Sequence, residues 1–338
     1  MSRRIAVALL LGLLVPALAL ALPRSPERRL HPGDIPPLPS YVARVAPAIV
    51  GLKVRAAADA ASSARLGVER FGSGVVFDAR GYAVTVSYIL LDAITIEAQT
   101  RDNRTEEARL VGVDFDTGLG VVKLAGDGPW PVAALGDSRD VKEGALTGTV
   151  GVDEDGDLVS VAGSVRSIRR FSAYWEYMLT RAFIVFPASP SWGGSALVND
   201  RGQVVGIASL RLGESPYVNL VIPLEKFLPV RDELITAGRV VSRPPRPWLG
   251  LYTVAVKGGV IVDAVSPVGP ARRAGFVKGD RIVSVNGVDV SSQEEFYERL
   301  WEKRAGDVIE VAVRRDDRIH VIAVPSIDRQ RLYRTDAR

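Results

Sequence analysis

The stretch SPSWGGSALVNDRGQVVGIAS, residues 189–209, reads as two short strands set around two turns. Gly193 and Gly194 lead into an apolar run that begins at Ala196. The turn Asn199-Asp200-Arg201-Gly202 then feeds a second run, Val204 to Leu210. Glycine and asparagine suit such turns because they tolerate a left-handed backbone that bulkier side chains resist. A glycine-rich turn between strands can lift a hydroxyl into a cleft, so the stretch asks which serine stands there and what base would activate it.

The same pattern extends outward from this stretch. AIVGLKV (48–54), GSGVVF (72–77), GYAVTVSYIL (81–90), ITIEAQ (94–99), ARLVGV (108–113) and LGVVKLA (119–125) form one series. ALTGTVGV (145–152), LVSVAGSVRSI (158–168), AFIVF (182–186), SALVN (195–199), VVGIASL (204–210) and YVNLVIP (217–223) form a second. Short strands separated by Gly, Asp and Asn turns indicate a mainly β protein, and two groups of about six suggest two barrels. Helix is expected at 40–46, at 224–237 and around Phe171–Leu179. The acidic run DEDGD (153–157) lacks the later bidentate glutamate and flanking helices of a calcium loop, and reads as a solvated hairpin turn.

Composition narrows the function classes. The 338 residues leave room for two or three domains, and 47% apolar with 24% charged residues is ordinary for a globular chain. The net charge of +4 is mild, and no basic run is interleaved with aromatics, which argues against nucleic-acid binding. With no cysteine, disulfides, thiolate zinc sites and a cysteine nucleophile are all excluded. No metal site and no cofactor is expected. Only two histidines occur, His31 and His320.

Residues 1–22 carry Arg3 and Arg4 and then eighteen residues without a charge, with small-x-small sites at Ala17-Leu18-Ala19 and Ala19-Leu20-Ala21. This reads as a signal peptide or a retained N-terminal membrane anchor, so the rest of the chain is expected to be exported to the periplasm or cell envelope. Residues 23–39 are a proline-rich linker.

Four segments, PSYVARVAPAIVGLKV, RFGSGVVFDARGYAVTVSYIL, LVGVDFDTGLGVVKL and WGGSALVNDRGQVVGI, resemble in order the HtrA (DegP-like) branch of trypsin-like serine peptidases. The resemblance runs from about residue 40 to 325. It implies a chymotrypsin-like double β-barrel over 40–237 with the active site between the barrels. Carried over position by position, the family's histidine falls on Tyr88, its aspartate on Gly118 and its nucleophilic serine on Gly193. A tyrosine with an ordinary pKa near 10 is a poor proton acceptor at neutral pH, and two glycines offer no side chain. No rescue is evident from the sequence. Ser195 sits two positions past the nucleophile site, His31 lies in the linker, and His320 lies in the last strand. No lysine occurs between Lys142 and Lys226. The expectation is therefore a chain that is not an enzyme, with an active endopeptidase using an unorthodox catalytic set as the alternative.

RVVSRPPRP closes the barrels with a semi-rigid linker, assigned to 238–247. The following segment 248–326, and above all GPARRAGFVKGDRIVSVNG (269–287), resembles a PDZ domain (α+β), ahead of a tail at 327–338. In SSQEEFYERLWEKR (291–304), Ser292 and Glu295 have capping-box spacing, and Phe296 and Leu300 share a helical face. A PDZ domain adds an extended peptide as a strand and holds its carboxylate on loop amides. The resemblance places that loop at Trp248, Leu249, Gly250 and Leu251, with Tyr252 and Thr253 along the docking edge and Phe296 and Leu300 on the helix. The expected partners are peptides or C-termini of envelope proteins. An active HtrA paralogue in a homo- or hetero-trimer is a further candidate, for an adaptor, chaperone-like holder or regulator.

Overall fold

A computed structural model of the protein describes residues 39–334. The segment 1–22 and all but the last residue of the linker 23–39 lie outside the described residues, as do 335–338. No helix among the described residues is long and apolar enough to cross a membrane.

A short helix, α1 (Ser40–Val45), leads into β1 (Ile49–Ala56), β2 (Glu69–Asp78), β3 (Tyr82–Val86), β4 (Ala93–Gln99), β5 (Thr105–Asp114) and β6 (Leu119–Leu124). These close into a barrel in the order β1-β2-β3-β6-β5-β4. Two single-turn helices, α2 (Ser63–Leu66) and α3 (Ser87–Leu90), interrupt it. A second barrel closes in the order β10-β11-β12-β9-β8-β7, from β7 (Leu146–Val152), β8 (Leu158–Ala173), β9 (Tyr177–Phe186), β10 (Ala196–Val198), β11 (Val204–Leu212) and β12 (Val218–Pro223). Closure removes the free edges that long, apolar strands would otherwise expose. Leu52, Leu119, Leu197, Ile207, Leu220 and Phe227 are fully buried in these barrels. Each such side chain contributes roughly 1.5–3 kcal/mol of transfer free energy.

The opening stretch folds as its turns dictate. Asn199 Oδ1 accepts from the amides of Arg201 and Gln203 at 3.0 and 2.9 Å, and Gly202 adopts φ +74°. At Gly194 (φ +84°) a Cβ would run into the carbonyl oxygen of Ser73, so the glycine lets the two barrels close on each other there.

The helix expected over 224–237 is α4 (Arg231–Ala237) preceded by two 3-10 turns, because Pro229 lacks the N–H that a continuous helix needs. The helix expected at Phe171–Leu179 is absent. That segment is the tip of the β8–β9 hairpin, paired as Phe171↔Leu179, Ser172↔Met178 and Ala173↔Tyr177. Strand pairing within the hairpin overrides local helix preference there. The DEDGD run is a hairpin turn in which Asp153 Oδ1 accepts from the amides of Asp155 and Asp157.

Beyond α4 the chain forms β13 (Pro247–Trp248), β14 (Leu251–Val256), β15 (Gly259–Val265), α5 (Pro270–Ala274), β16 (Arg281–Val285), β17 (Val288–Asp289), α6 (Gln293–Leu300), β18 (Val308–Arg315), β19 (Arg318–Pro325) and β20 (Ile327–Asp328). The sheet order is β14-β15-β16-β18-β19, with β17 beside β16. Strands β13 and β20 pair with each other, so the segment after residue 326 is tied to the linker. Ser292 caps α6, its Oγ accepting from the Glu295 amide at 3.1 Å. Phe296, Tyr297 and Leu300 are fully buried here together with Leu249 and Val260, and Met178 of β9 joins the same core.

Candidate functional site

Two places merit description: the groove between the barrels and the edge of β14. A cavity of about 400 Å³ opens in the groove, lined by Ser87, Tyr88, Gly118, Tyr177, Trp192 and Ser209 among others. The positions read from sequence meet here. A Cβ on Gly193 would stand 3.0 Å from the Tyr88 hydroxyl, and one on Gly118 would stand 3.0 Å from the Tyr177 hydroxyl. The Ser87 amide donates to the Gly118 carbonyl at 2.8 Å, which fixes α3 against the start of β6.

Both tyrosine hydroxyls in the groove are committed to backbone. Tyr88 donates to the Ser209 carbonyl at 2.9 Å and Tyr177 to the Thr117 carbonyl at 2.7 Å. Burial raises the pKa of both phenols, so both stay protonated. Ser195 is fully buried, its Oγ donating to the Ser191 carbonyl and lying 3.4 Å from Ser73 Oγ. The Gly193 carbonyl accepts from the Ser73 amide at 2.7 Å. His320 is exposed on β19, and His31 is outside the described residues.

Sequence reading missed the support beneath α3. Arg70 is buried and donates to the carbonyls of Tyr88, Leu91 and Gly67 and to Ser62 Oγ, at 2.6–3.2 Å. Ser62 Oγ in turn donates to Asp92 at 2.6 Å. A guanidinium satisfies several carbonyls at once, which holds the short helix bearing Tyr88 in place.

At the second place, the amides of Leu249, Gly250 and Leu251 all donate to one carboxylate, that of Glu176, at 3.0, 2.7 and 2.6 Å. Gly250 allows this curl, with φ +84°. Thr253 N donates to the Tyr174 carbonyl at 2.8 Å, and the Tyr174 ring packs on Tyr252 with centroids 6.0 Å apart. Trp248 is buried in β13. On the other side α6 reaches the same hairpin. Tyr297 donates to the Ala173 carbonyl at 2.6 Å and accepts from the Glu176 amide at 3.2 Å, and Glu294 accepts from Ser172 Oγ at 2.6 Å. Phe296 and Leu300 lie in the domain core, and Gln293 holds β14 by donating to the Thr253 carbonyl and hydroxyl. Glu176, Tyr297 and Gln293 were not read from the sequence as site residues. Only an acid set among aromatics at 174–177 offered a signal.

Burial pushes the Glu176 carboxyl up to about 7, against the opposing pull of the three amides and of Arg329.

Comparison with known proteins agrees with this architecture. Residues 72–207 match the trypsin-like peptidase domain and residues 247–325 the PDZ domain. The serine endoprotease DegS of Salmonella typhimurium is 31% identical over 91% of this chain and 93% of its own length. The crystal structure of the serine endoprotease from Yersinia pestis is 27% identical, with a TM-score of 0.54 over 85% of this chain and 96% of that one. The HtrA-type protease AlgW with decapeptide, 23% identical with a TM-score of 0.54 over 86% and 98%, shares the fold. The names of these relatives correct the expectation of a chain that is not an enzyme, because the proteins aligning along most of it are serine endoproteases. The chain belongs to the HtrA-type serine endoproteases, as a trypsin-like peptidase domain followed by one PDZ domain.

Proposed function

We propose that the protein works in the cell envelope by binding peptides or protein C-termini through its PDZ domain, as an adaptor, chaperone-like holder or regulator. The observation that carries this reading is the convergence of three consecutive amides, Leu249 to Leu251, on one carboxylate. Such a loop recognises a terminal carboxylate through backbone donors, whatever the neighbouring side chains. Trp248, Tyr252 and Thr253 would then frame the docking strand. A relative named as a periplasmic endoprotease and the apolar N-terminal run support the location.

Presenting the full chain with immobilised peptides tests the reading. Peptides with a free C-terminal carboxylate should bind, and their C-terminal amides should not. Gly250→Val, whose added side chain would meet Gly269 and Ser266, should weaken binding at least tenfold. Equal retention of acid and amide peptides would refute it.

The relatives' names favour a second reading, hydrolysis of peptides by an unorthodox set in the groove. The positions Tyr88, Gly118 and Gly193 put the nucleophile elsewhere, and Ser87, Ser195 and Ser209 are the hydroxyls to test. Turnover of unfolded casein that one of the changes Ser87→Ala, Ser195→Ala or Ser209→Ala abolishes would establish this reading and identify its nucleophile. Co-purification with an HtrA paralogue from the native host would test the mixed-trimer role.

A further inference from the structure

We propose that the carboxylate loop and docking edge of the PDZ domain are occupied in cis by the tip of the β8–β9 hairpin, with Glu176 as resident ligand, so that an incoming peptide terminus must compete with the protein's own chain. This deepens the peptide-binding reading and rests on it.

Three features of a bound terminal peptide are reproduced together by residues 172–176. A carboxylate sits on the loop amides of Leu249, Gly250 and Leu251. The hairpin turn is tied to the edge of β14 by a backbone bond, the Thr253 amide donating to the Tyr174 carbonyl at 2.8 Å. The opposite wall, α6, holds the same hairpin through Tyr297 and Glu294. The register is coherent. Tyr174 occupies the place two residues before the terminus, and the Glu176 side chain supplies the carboxylate where a terminal residue would end. An ordinary packing contact would not need all of these at once.

The local costs point the same way. Glu176 is 5% exposed and has φ +54°, a left-handed backbone that non-glycine residues seldom adopt. A buried carboxylate is tolerated only when its oxygens are satisfied, and here the loop amides satisfy them. Both costs fall on the one residue whose side chain fills the loop.

A tethered occupant is present at high effective concentration, so it reduces the apparent affinity of a free ligand by the fraction of time the site is closed. The test uses the full chain, with fluorescein-labelled Phe-Ser-Ala-Tyr-Trp-Leu as probe, bearing either a free carboxylate or a C-terminal amide. Hydrogen exchange of the Leu249, Gly250, Leu251 and Thr253 amides is followed in parallel without peptide. The expected result is at least tenfold tighter binding of the free-acid probe to Glu176→Ala than to the unaltered chain, and at least tenfold faster exchange of the loop amides in that variant. Glu176→Gln, which keeps the side-chain shape, should move both readouts in the same direction by less. Unchanged exchange in both variants, or equal free-acid affinity in all three proteins, would overturn the proposal. Faster loop exchange with no probe bound to any of the three would support the cis contact and remove the peptide-binding reading on which the competition rests.

Discussion

Glu176 is held by amides that favour its ionised form and by burial that disfavours it, and burial prevails, with a pKa of about 7 against an ordinary 4.5. Once the hairpin leaves the groove the carboxyl meets water and regains its ordinary value. Protonation therefore favours the docked state. That contribution is fully present below about pH 4.5 and is lost as pH rises through 7, a difference on the order of 3 kcal/mol. The adjoining cavity wall carries Asp114, Asp116 and Asp328 against Arg243, Arg246 and Arg329, and these groups set the electrostatic background. Loop-amide exchange, corrected for the intrinsic pH effect, should accelerate between pH 6 and 8 in the unaltered chain and stay flat in Glu176→Gln. A flat profile in both would show that the carboxyl does not titrate in this window.

Among the elements, α6 carries the clearest test, because one hydroxyl on it makes two buried bonds to the hairpin. Tyr297→Phe removes the bonds to the Ala173 carbonyl and from the Glu176 amide while keeping the ring in the core. Urea unfolding should show a loss of about 1–3 kcal/mol. A double-mutant cycle with Glu176→Ala should give a coupling of about 0.5–3 kcal/mol. The strands were legible in the sequence where alternation and turn chemistry agreed, as at Asn199-Asp200-Arg201-Gly202 and at the Ser292 cap. The tip at 171–179 was not, since its neighbours lie on α6 and β14, far along the chain. The same holds for the site. Backbone amides at 249–251 could be read from a motif, but their partner stands about seventy residues earlier, with separations of 73–75. Arg70 was hidden likewise, because its carbonyl acceptors at Tyr88 and Leu91 become neighbours only when β2 pairs and α3 turns.

For the whole molecule, the arginine-rich linker is anchored to the first barrel. Arg243 pairs with Asp114 and Asp116, Arg246 pairs with Asp116 at 3.2 Å, and Arg246 also lies over the Trp301 ring at 4.1 Å. Asp114 is buried, but both arginines are partly exposed, so screening limits the pairs, and the effect is best read as local opening rather than global stability. Replacing both Asp114 and Asp116 by alanine should speed trypsin cleavage after Arg239 several-fold, as read by mass spectrometry of the fragments. An unchanged cutting rate would show that the prolines alone set the linker's path. The sixteen residues of β8 also have a mechanical meaning. One ribbon is riveted to the peptidase barrel at its base and to the PDZ edge at its tip, so the PDZ domain cannot swivel about its linker as a free body. Any swing must first peel that ribbon loose, bond by bond. The orientation between the two domains, followed by solution scattering or a pair of fluorophores, thus becomes a gauge of what fills the groove.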